Sequence, residues 1–266
     1  RGKEVTITPD HAVFTYENNQ IRASLAKDLT IGASIIIPKE IPCGYHNIKY
    51  LNVLELFSDI RIYAPQLVKQ ASHKLGYYQA STVSGCASIT DYYSNFKDVK
   101  PAALKKDQFL KLMKEAKIKY KVQDLTVRFD RASKKTKAHI ELTKELLKLI
   151  GYYLSEGTID DGKKNSRIAL YNKDETVLSD MRQCIIKVTG QAPRERITDR
   201  GWGSATELSF SHKTIFELLL RYCKRKFEKI VPDFVFGLSK KRIGYALEGL
   251  YKGDSHIRDK GYNYST

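Results

Sequence analysis

Two nonapeptides decide how this chain is read: Leu149-Ile150-Gly151-Tyr152-Tyr153-Leu154-Ser155-Glu156-Gly157 and Leu247-Glu248-Gly249-Leu250-Tyr251-Lys252-Gly253-Asp254-Ser255. In each, a glycine follows the leucine by two positions, a small residue comes four later, and an acid follows directly. Four residues is close to one helical turn, so Gly151 and Ser155 share a face, as do Gly249 and Gly253. Small residues on one face let two helix backbones approach closely. The acids, Glu156 and Asp254, fall at the C-terminal ends of these helices. There the helix dipole disfavours negative charge by about 0.3–1 kcal/mol. Packing the two helices together also brings like charges near one another. A pair placed against both effects calls for compensation by a divalent cation, and Mg²⁺ suits hard oxygen ligands and retained water. Metal-assisted phosphodiester hydrolysis uses acids in this way.

Outward from the motifs the pattern is mixed. Thr143 is placed to cap a helix running to Glu156. Alternation marks strands at 167–171, 193–199 and 205–211, with helices near 174–188 and 213–226, and a new helix opens near Lys241. Upstream, Pro65 and Gly76 bracket a helical run of Leu67, Val68, Ala71 and Leu75. Shorter helices are expected near 87–96 and 104–117, a basic hairpin over 119–130, and an exposed linker from Arg131 to Lys137. Residues 3–37 read as short strands around Val5 and Ile7, then Val13, Phe14 and Tyr16, then Ile35 to Ile37. The expected fold class is α+β. It has a β-rich segment over 1–47, a helical insert over 48–147, an αββαββα repeat over 148–235, and the start of a second repeat over 236–266. The three helices and basic hairpin of the insert are the size of a winged-helix-like DNA-binding unit.

Composition limits the function. The net charge is +16, with 46 basic and 30 acidic residues. Residues 1–47 hold five of each, so the whole excess lies in the remaining 219 residues. Such an excess favours a polyanion partner. No stretch approaches the ~20 continuous apolar residues of a membrane span, and the opening RGKEVTITPDH has no apolar signal core. Cys43, Cys86, Cys184 and Cys223 form no CxxC pair, which points to buried thiols in a reducing, cytoplasmic setting.

The paired nonapeptides, their acids 98 residues apart, resemble the LAGLIDADG motifs of homing endonucleases. The resemblance implies a site-specific endonuclease of double-stranded DNA in which the motif helices form the central interface. By that match Glu156 and Asp254 are the catalytic acids and the metal ligands. The block Glu228-Lys229-Ile230-Val231-Pro232-Asp233 resembles another block of the family, which assigns Lys229 to activating water or stabilising the transition state. The family reads DNA through antiparallel sheets in the major groove. Two-residue periodicity places Arg167, Ala169 and Tyr171 on one face, and Arg194, Arg196 and Thr198 on another. Arginine is the commonest reader of guanine there, and Trp202, at the tip Gly201-Trp202-Gly203, is placed to pack on DNA.

At the front, Thr8-Pro9-Asp10-His11 in a β-rich context resembles the TxxH block of inteins. The resemblance implies that Thr8 and His11 assist the first acyl shift of protein splicing. The LxGYYxSEG form at 149–157 is similar to inteins of archaeal replication proteins such as DNA polymerases, so a replication protein is the expected host. Splicing needs a nucleophile at the first residue and a His-Asn pair at the last, yet the chain runs from Arg1 to Thr266 without them. The chain is therefore expected to be truncated at both ends. A non-cleaving DNA-binding regulator and an RNA maturase use the same scaffold. The presence of both acids disfavours the first, and TxxH disfavours the second.

Overall fold

A computed structural model describes residues 6–37, 48–94, 102–129, 135–160, 166–199, 204–225, 228–258 and 261–264. The chain is α+β and forms two compact units, Arg1–Cys43 and Gly44–Thr266.

Unit 1 is built on a hairpin of β1 (Ala12–Glu17) and β2 (Gln20–Leu25), with Glu17 opposite Gln20. Asn18 and Asn19 form the two-residue turn, both at positive φ (50° and 63°), as a type I′ turn requires. Ile35 adds a bridge to Thr15, and Ile36 N–H donates to Phe14 O at 2.7 Å. Strand β2 was not expected, because Gln20-Ile21-Arg22-Ala23-Ser24-Leu25 lacks a run of β-branched residues. On one hairpin face Phe14 pairs with Ala23 and Tyr16 with Ile21. Phe14, Tyr16, Ile21, Ile35 and Ile37 are nevertheless exposed. A lone hairpin is marginally stable, so this face needs apolar cover.

Unit 2 holds the buried core, which runs from Leu51 to Ala246. Its first part is an excursion closed at its base. Strand β3 (Tyr50–Asn52) pairs with β8 (His139–Glu141), Leu51 opposite Ile140. Between them lie α1 (Val53–Leu56), β4 (Arg61–Tyr63), α2 (Pro65–Leu75), α3 (Tyr77–Ser84), β5 (Leu104–Lys105), α4 (Lys106–Glu115), β6 (Thr126–Arg128) and β7 (Thr136–Lys137). Helix α2 starts on Pro65 and ends before Gly76 at φ 85°, as its bracketing residues require. The basic hairpin sits further along than expected. Residues 122–124 form a 3₁₀ turn, and β6 pairs with β4 and with β7, so 126–137 is the hairpin and 131–137 is not simply a linker. Its tip, 130–134, lies outside the described residues. Where a helix is expected near 87–96, the described residues hold a 3₁₀ turn at Ile89–Tyr92; 95 and 96 lie outside them, and α3, which ends at Ser84, was not expected.

The second part runs α5 (Lys144–Glu156), β9 (Gly157–Asp160), β10 (Arg167–Asn172), α6 (Glu175–Thr189), β11 (Arg194–Asp199), β12 (Ser204–Phe210) and α7 (Lys213–Leu218). The four strands form one antiparallel sheet in the order β11-β12-β10-β9. Then come α8 (Asp233–Phe236), α9 (Lys240–Asp254), β13 (Ser255–Arg258) and β14 (Gly261–Tyr264), the last two paired as a hairpin. Thus α9 leads straight into a hairpin, as α5 does. Helix α7 stops early: a π turn at Leu219–Cys223 replaces the helix expected to continue to 226. Cys184 and Cys223 are buried thiols, and burial pushes each up to about 12. No described helix is long and apolar enough to cross a membrane.

Candidate active site

Helix α5 is buried almost all round, from Leu146 to Tyr153, and α9 lies directly against it. The glycines set that approach. A Cβ on Gly151 would fall onto Ala246 O and 2.5 Å from Leu250 N, both backbone atoms of α9. A Cβ on Gly249 would fall onto the Lys148 carbonyl of α5. Gly253 faces the Ser155 side chain, with Tyr152 Cδ1 3.6 Å from where its Cβ would stand. The small-residue seam is real, but Gly151 and Gly253 do not face each other. Each meets the other helix at a different level.

Because Ser155 meets Gly253, the C-terminal ends of the two helices converge. Glu156 is the last residue of α5 and Asp254 the last of α9, and in both cases the next residue begins a strand. Gly157 makes the first junction possible, since a Cβ there would stand 2.5 Å from the Tyr153 Cα. Lys229 lies at the same helix end. Its Nζ donates to Leu154 O at 3.3 Å and Ser155 O at 3.4 Å, and stands 5.1 Å over the Tyr153 ring. Burial lowers the pKa of Lys229, opposed by the charges of Glu156 and Asp254. Burial raises that of Asp254, opposed by the charge of Lys229.

The loop that delivers Lys229 is pinned to the same helix. After the π turn, Lys224 takes φ 57° and ψ −164°, an unusual conformation for a residue with a side chain. The Tyr153 hydroxyl donates to the Lys224 carbonyl, and Ile230 N–H returns to Cys223 O at 3.0 Å. π turns of this kind recur at functional sites.

The donor set suits a hard cation: two carboxylates converge at helix ends rich in carbonyl oxygens. Among the described residues no group of three or more His, Cys, Asp or Glu gathers. Such an ion would complete its shell with water and phosphate oxygen, as Mg²⁺ does.

The sheet brings some of the expected DNA-contacting residues together. Arg167, Tyr171 and Arg196 converge on Glu207 of β12. Arg194 is exposed on the adjacent strand, opposite Ser209. Thr198 Oγ1 donates to Ala205 O at 3.2 Å. Trp202 lies outside the described residues. In unit 1, His11 N–H donates to Thr8 O at 3.0 Å, so a tight turn brings the two together.

Three features went unread in the sequence. One is Glu207. Another is Asn172, whose Nδ2 donates to Gly253 O at 3.3 Å and ties β10 to the end of α9. The third is a charged network across the helix seam. Lys148, 4% exposed, pairs with Asp180 and, at 3.0 Å, with Glu248. Lys252 meets Glu248 at 2.8 Å and Asp180 at 3.3 Å, and the Tyr152 hydroxyl donates to Asp180 at 2.6 Å. A lone lysine inside Leu146-Leu147-Lys148-Leu149-Ile150 was the available signal, because a buried lysine needs a partner.

No protein-family model matches the chain. Over 260 residues, 95% of its length, it is 26% identical to the DNA polymerase II large subunit of Thermococcus kodakarensis, of which it spans 13%. In an alignment 270 positions long that covers 96% of the chain, it is 25% identical to an uncharacterized protein of Methanocaldococcus jannaschii, of which it spans 28%.

Proposed function

We propose that this chain is a metal-dependent, site-specific endonuclease of double-stranded DNA, of the LAGLIDADG type, carried within a protein-splicing intein. The observation that carries this reading is the close approach of the two helix ends that carry Glu156 and Asp254, where Ser155 meets Gly253, with the Lys229 ammonium near enough to feel the charge of both acids. A bound Mg²⁺ would supply Lewis acidity toward phosphate and an activated water. Glu156 and Asp254 would hold and orient that ion. Lys229, half-buried and fixed by two carbonyls, stabilises charge that develops on the phosphate. The sheet β9–β12 faces the major groove with Arg167, Arg194, Arg196 and Thr198, the buried Tyr171 supporting them through Glu207, and Trp202 reaches the same duplex. The excursion over 48–147 extends that contact through its basic hairpin. Residues 148–235 form the first endonuclease repeat, and 236–266 begin the second.

Residues 1–47 are the splicing portion, in which His11, turned against Thr8, assists the first acyl shift. The exposed apolar face of β1–β2 is then covered by the rest of the splicing domain. The comparisons support an inserted element, since nearly the whole chain matches a small share of two much longer proteins, one of them a replication protein. A replication protein is therefore the proposed host, and the cytoplasm the proposed location.

The test uses the full-length protein with a plasmid library of randomised inserts, with Mg²⁺ and with EDTA. The reading predicts cut ends that share one long sequence and appear only with the metal. Ends scattered without a shared sequence, or equal cutting in EDTA, would contradict it.

A further inference from the structure

Glu207 is wholly buried, yet it stands on the polar side of the sheet among basic residues. Register places it opposite both Tyr171 on β10 and Arg196 on β11. One carboxylate oxygen accepts from Arg167 Nη2, the other from Arg196 Nη2 at 2.9 Å and from the Tyr171 hydroxyl at 3.1 Å. Thr158 Oγ1 donates to that hydroxyl at 3.5 Å, so β9 also joins the cluster. A buried carboxylate without partners is costly. Here burial pushes Glu207 up, but hydrogen bonds from Arg196 and Tyr171 and the charge of Arg167 prevail and hold it below the ordinary range.

We infer that Glu207 is a specificity-determining positioning residue, which fixes the guanidinium groups of Arg167 and Arg196 for reading base edges. The inference rests on the proposed reading of this sheet as the DNA face. Each guanidinium has five N–H donors, so a carboxylate leaves several for a ligand. The Arg196 side chain is 60% exposed and that of Arg167 33%, so both still present surface. An arginine held by nothing swings to the nearest phosphate of any DNA, a contact that carries no sequence information. An arginine held by a buried carboxylate keeps one orientation, as bidentate reading of guanine requires.

The experiment takes the full-length wild type, Glu207→Gln and Tyr171→Phe through selection from a pool of random-sequence duplex DNA. The retained molecules are sequenced. Binding to sonicated heterologous DNA is then measured over a salt series, with melting temperatures alongside. Glu207→Gln should lose preference by about tenfold or more at one or two base positions, the share of a single arginine–base contact. It should bind heterologous DNA at least as tightly, with a log–log salt slope steeper by about 0.9 for each arginine released to a phosphate. Tyr171→Phe deletes one donor and keeps both arginines on the carboxylate, so it should lose a smaller part of the same preference. Unchanged preference in Glu207→Gln would overturn the inference. So would a parallel loss of preference, heterologous binding and melting temperature in both variants, which marks a structural carboxylate. If the wild type itself selects no shared sequence, the reading of the sheet as a site-specific DNA face fails, and this inference with it.

Discussion

Lys229 caps Ser155: its ammonium donates to the Ser155 carbonyl at 3.4 Å, one residue before the acid that ends the first motif helix. A cation at a helix C-terminus is favourable by about 0.3–1 kcal/mol, the same effect that disfavours Glu156 there. Part of the compensation first assigned wholly to a metal is thus supplied by the protein. Lys229 also reaches Leu154 O, so it is held at the helix end whether or not a cation binds.

Lys229→Met keeps the unbranched apolar stem of the side chain while removing its charged end. If the ammonium stabilises developing phosphate charge, the cleavage rate should fall by ~10²-fold or more, as for loss of one preorganised donor. DNA affinity and Mg²⁺ dependence should change little. Single-turnover kinetics at saturating protein checks this, and a wild-type rate would remove Lys229 from the chemistry.

Asp254 titrates above the ordinary 3.8 because its burial outweighs the attraction of Lys229. The folded chain therefore takes up this proton more readily than the unfolded chain. The associated stability is present at low pH and is lost as pH rises from 3.8 through the raised folded value. Without divalent metal, Asp254→Asn should melt at the same temperature as wild type or higher at neutral pH. The gap should close as pH falls toward 3.8. A clearly lower melting temperature at neutral pH would make Asp254 a structural carboxylate.

The seam glycines should not be equivalent. At Gly151 an added methyl meets backbone of α9, which cannot move aside, whereas at Gly253 it meets the Ser155 side chain. Gly151→Ala should cost at least the ~1–3 kcal/mol typical of overpacking, and Gly253→Ala less. Ser155→Gly should restore stability to Gly253→Ala and do nothing for Gly151→Ala. Denaturant melts of the three single and two double variants decide the matter. Equal costs without rescue would contradict the described contacts.

The Lys148 network should be strongly coupled. Burial alone would raise Asp180 and Glu248, but hydrogen bonds and charges from Lys148 and Lys252 lower both, and the Tyr152 hydroxyl also lowers Asp180. Their contribution is therefore present at neutral pH and lost as pH falls through the lowered values. Lys148→Met removes one of two lysines that Asp180 and Glu248 share and should destabilise by about 1–3 kcal/mol at neutral pH, since Lys252 still meets both. Adding Glu248→Gln should cost less than it does alone, a coupling of about 0.5–3 kcal/mol. Additive costs in that cycle would show that the two groups do not share one network.

The motif helices and the strands between them were legible because strong local signals agree. Thr143 accepts from Leu146 N–H as an N-cap, apolar spacing runs to Glu156, and alternation marks 167–171 and 205–211. That Glu156 and Asp254 end neighbouring helices was legible only through the repeated motif, and Lys229 only through the separate 228–233 block, since nothing local links residues so far apart. What stayed hidden depends on tertiary contact. Strand β6 takes β4 as partner, not residues 119–123, because pairing register is set by the core and not by alternation alone. The π turn at Leu219–Cys223 has no composition signal; it exists where Tyr153 captures the Lys224 carbonyl. Glu207 looked like one more surface acid until three donors from two other strands were found around it.

Cleavage and binding by Glu156→Gln, measured together on the sequence selected by the wild type, test the central claim most directly. This substitution keeps the shape of the side chain at the end of α5 and removes one of the two converging charges. The account predicts affinity for that duplex within about threefold of wild type, because phosphate and base contacts elsewhere supply the binding. It predicts a Mg²⁺-dependent cleavage rate lower by ~10²-fold or more, as for loss of a group acting in the transition state. Cleavage at the wild-type rate by a fully bound Glu156→Gln protein would contradict it.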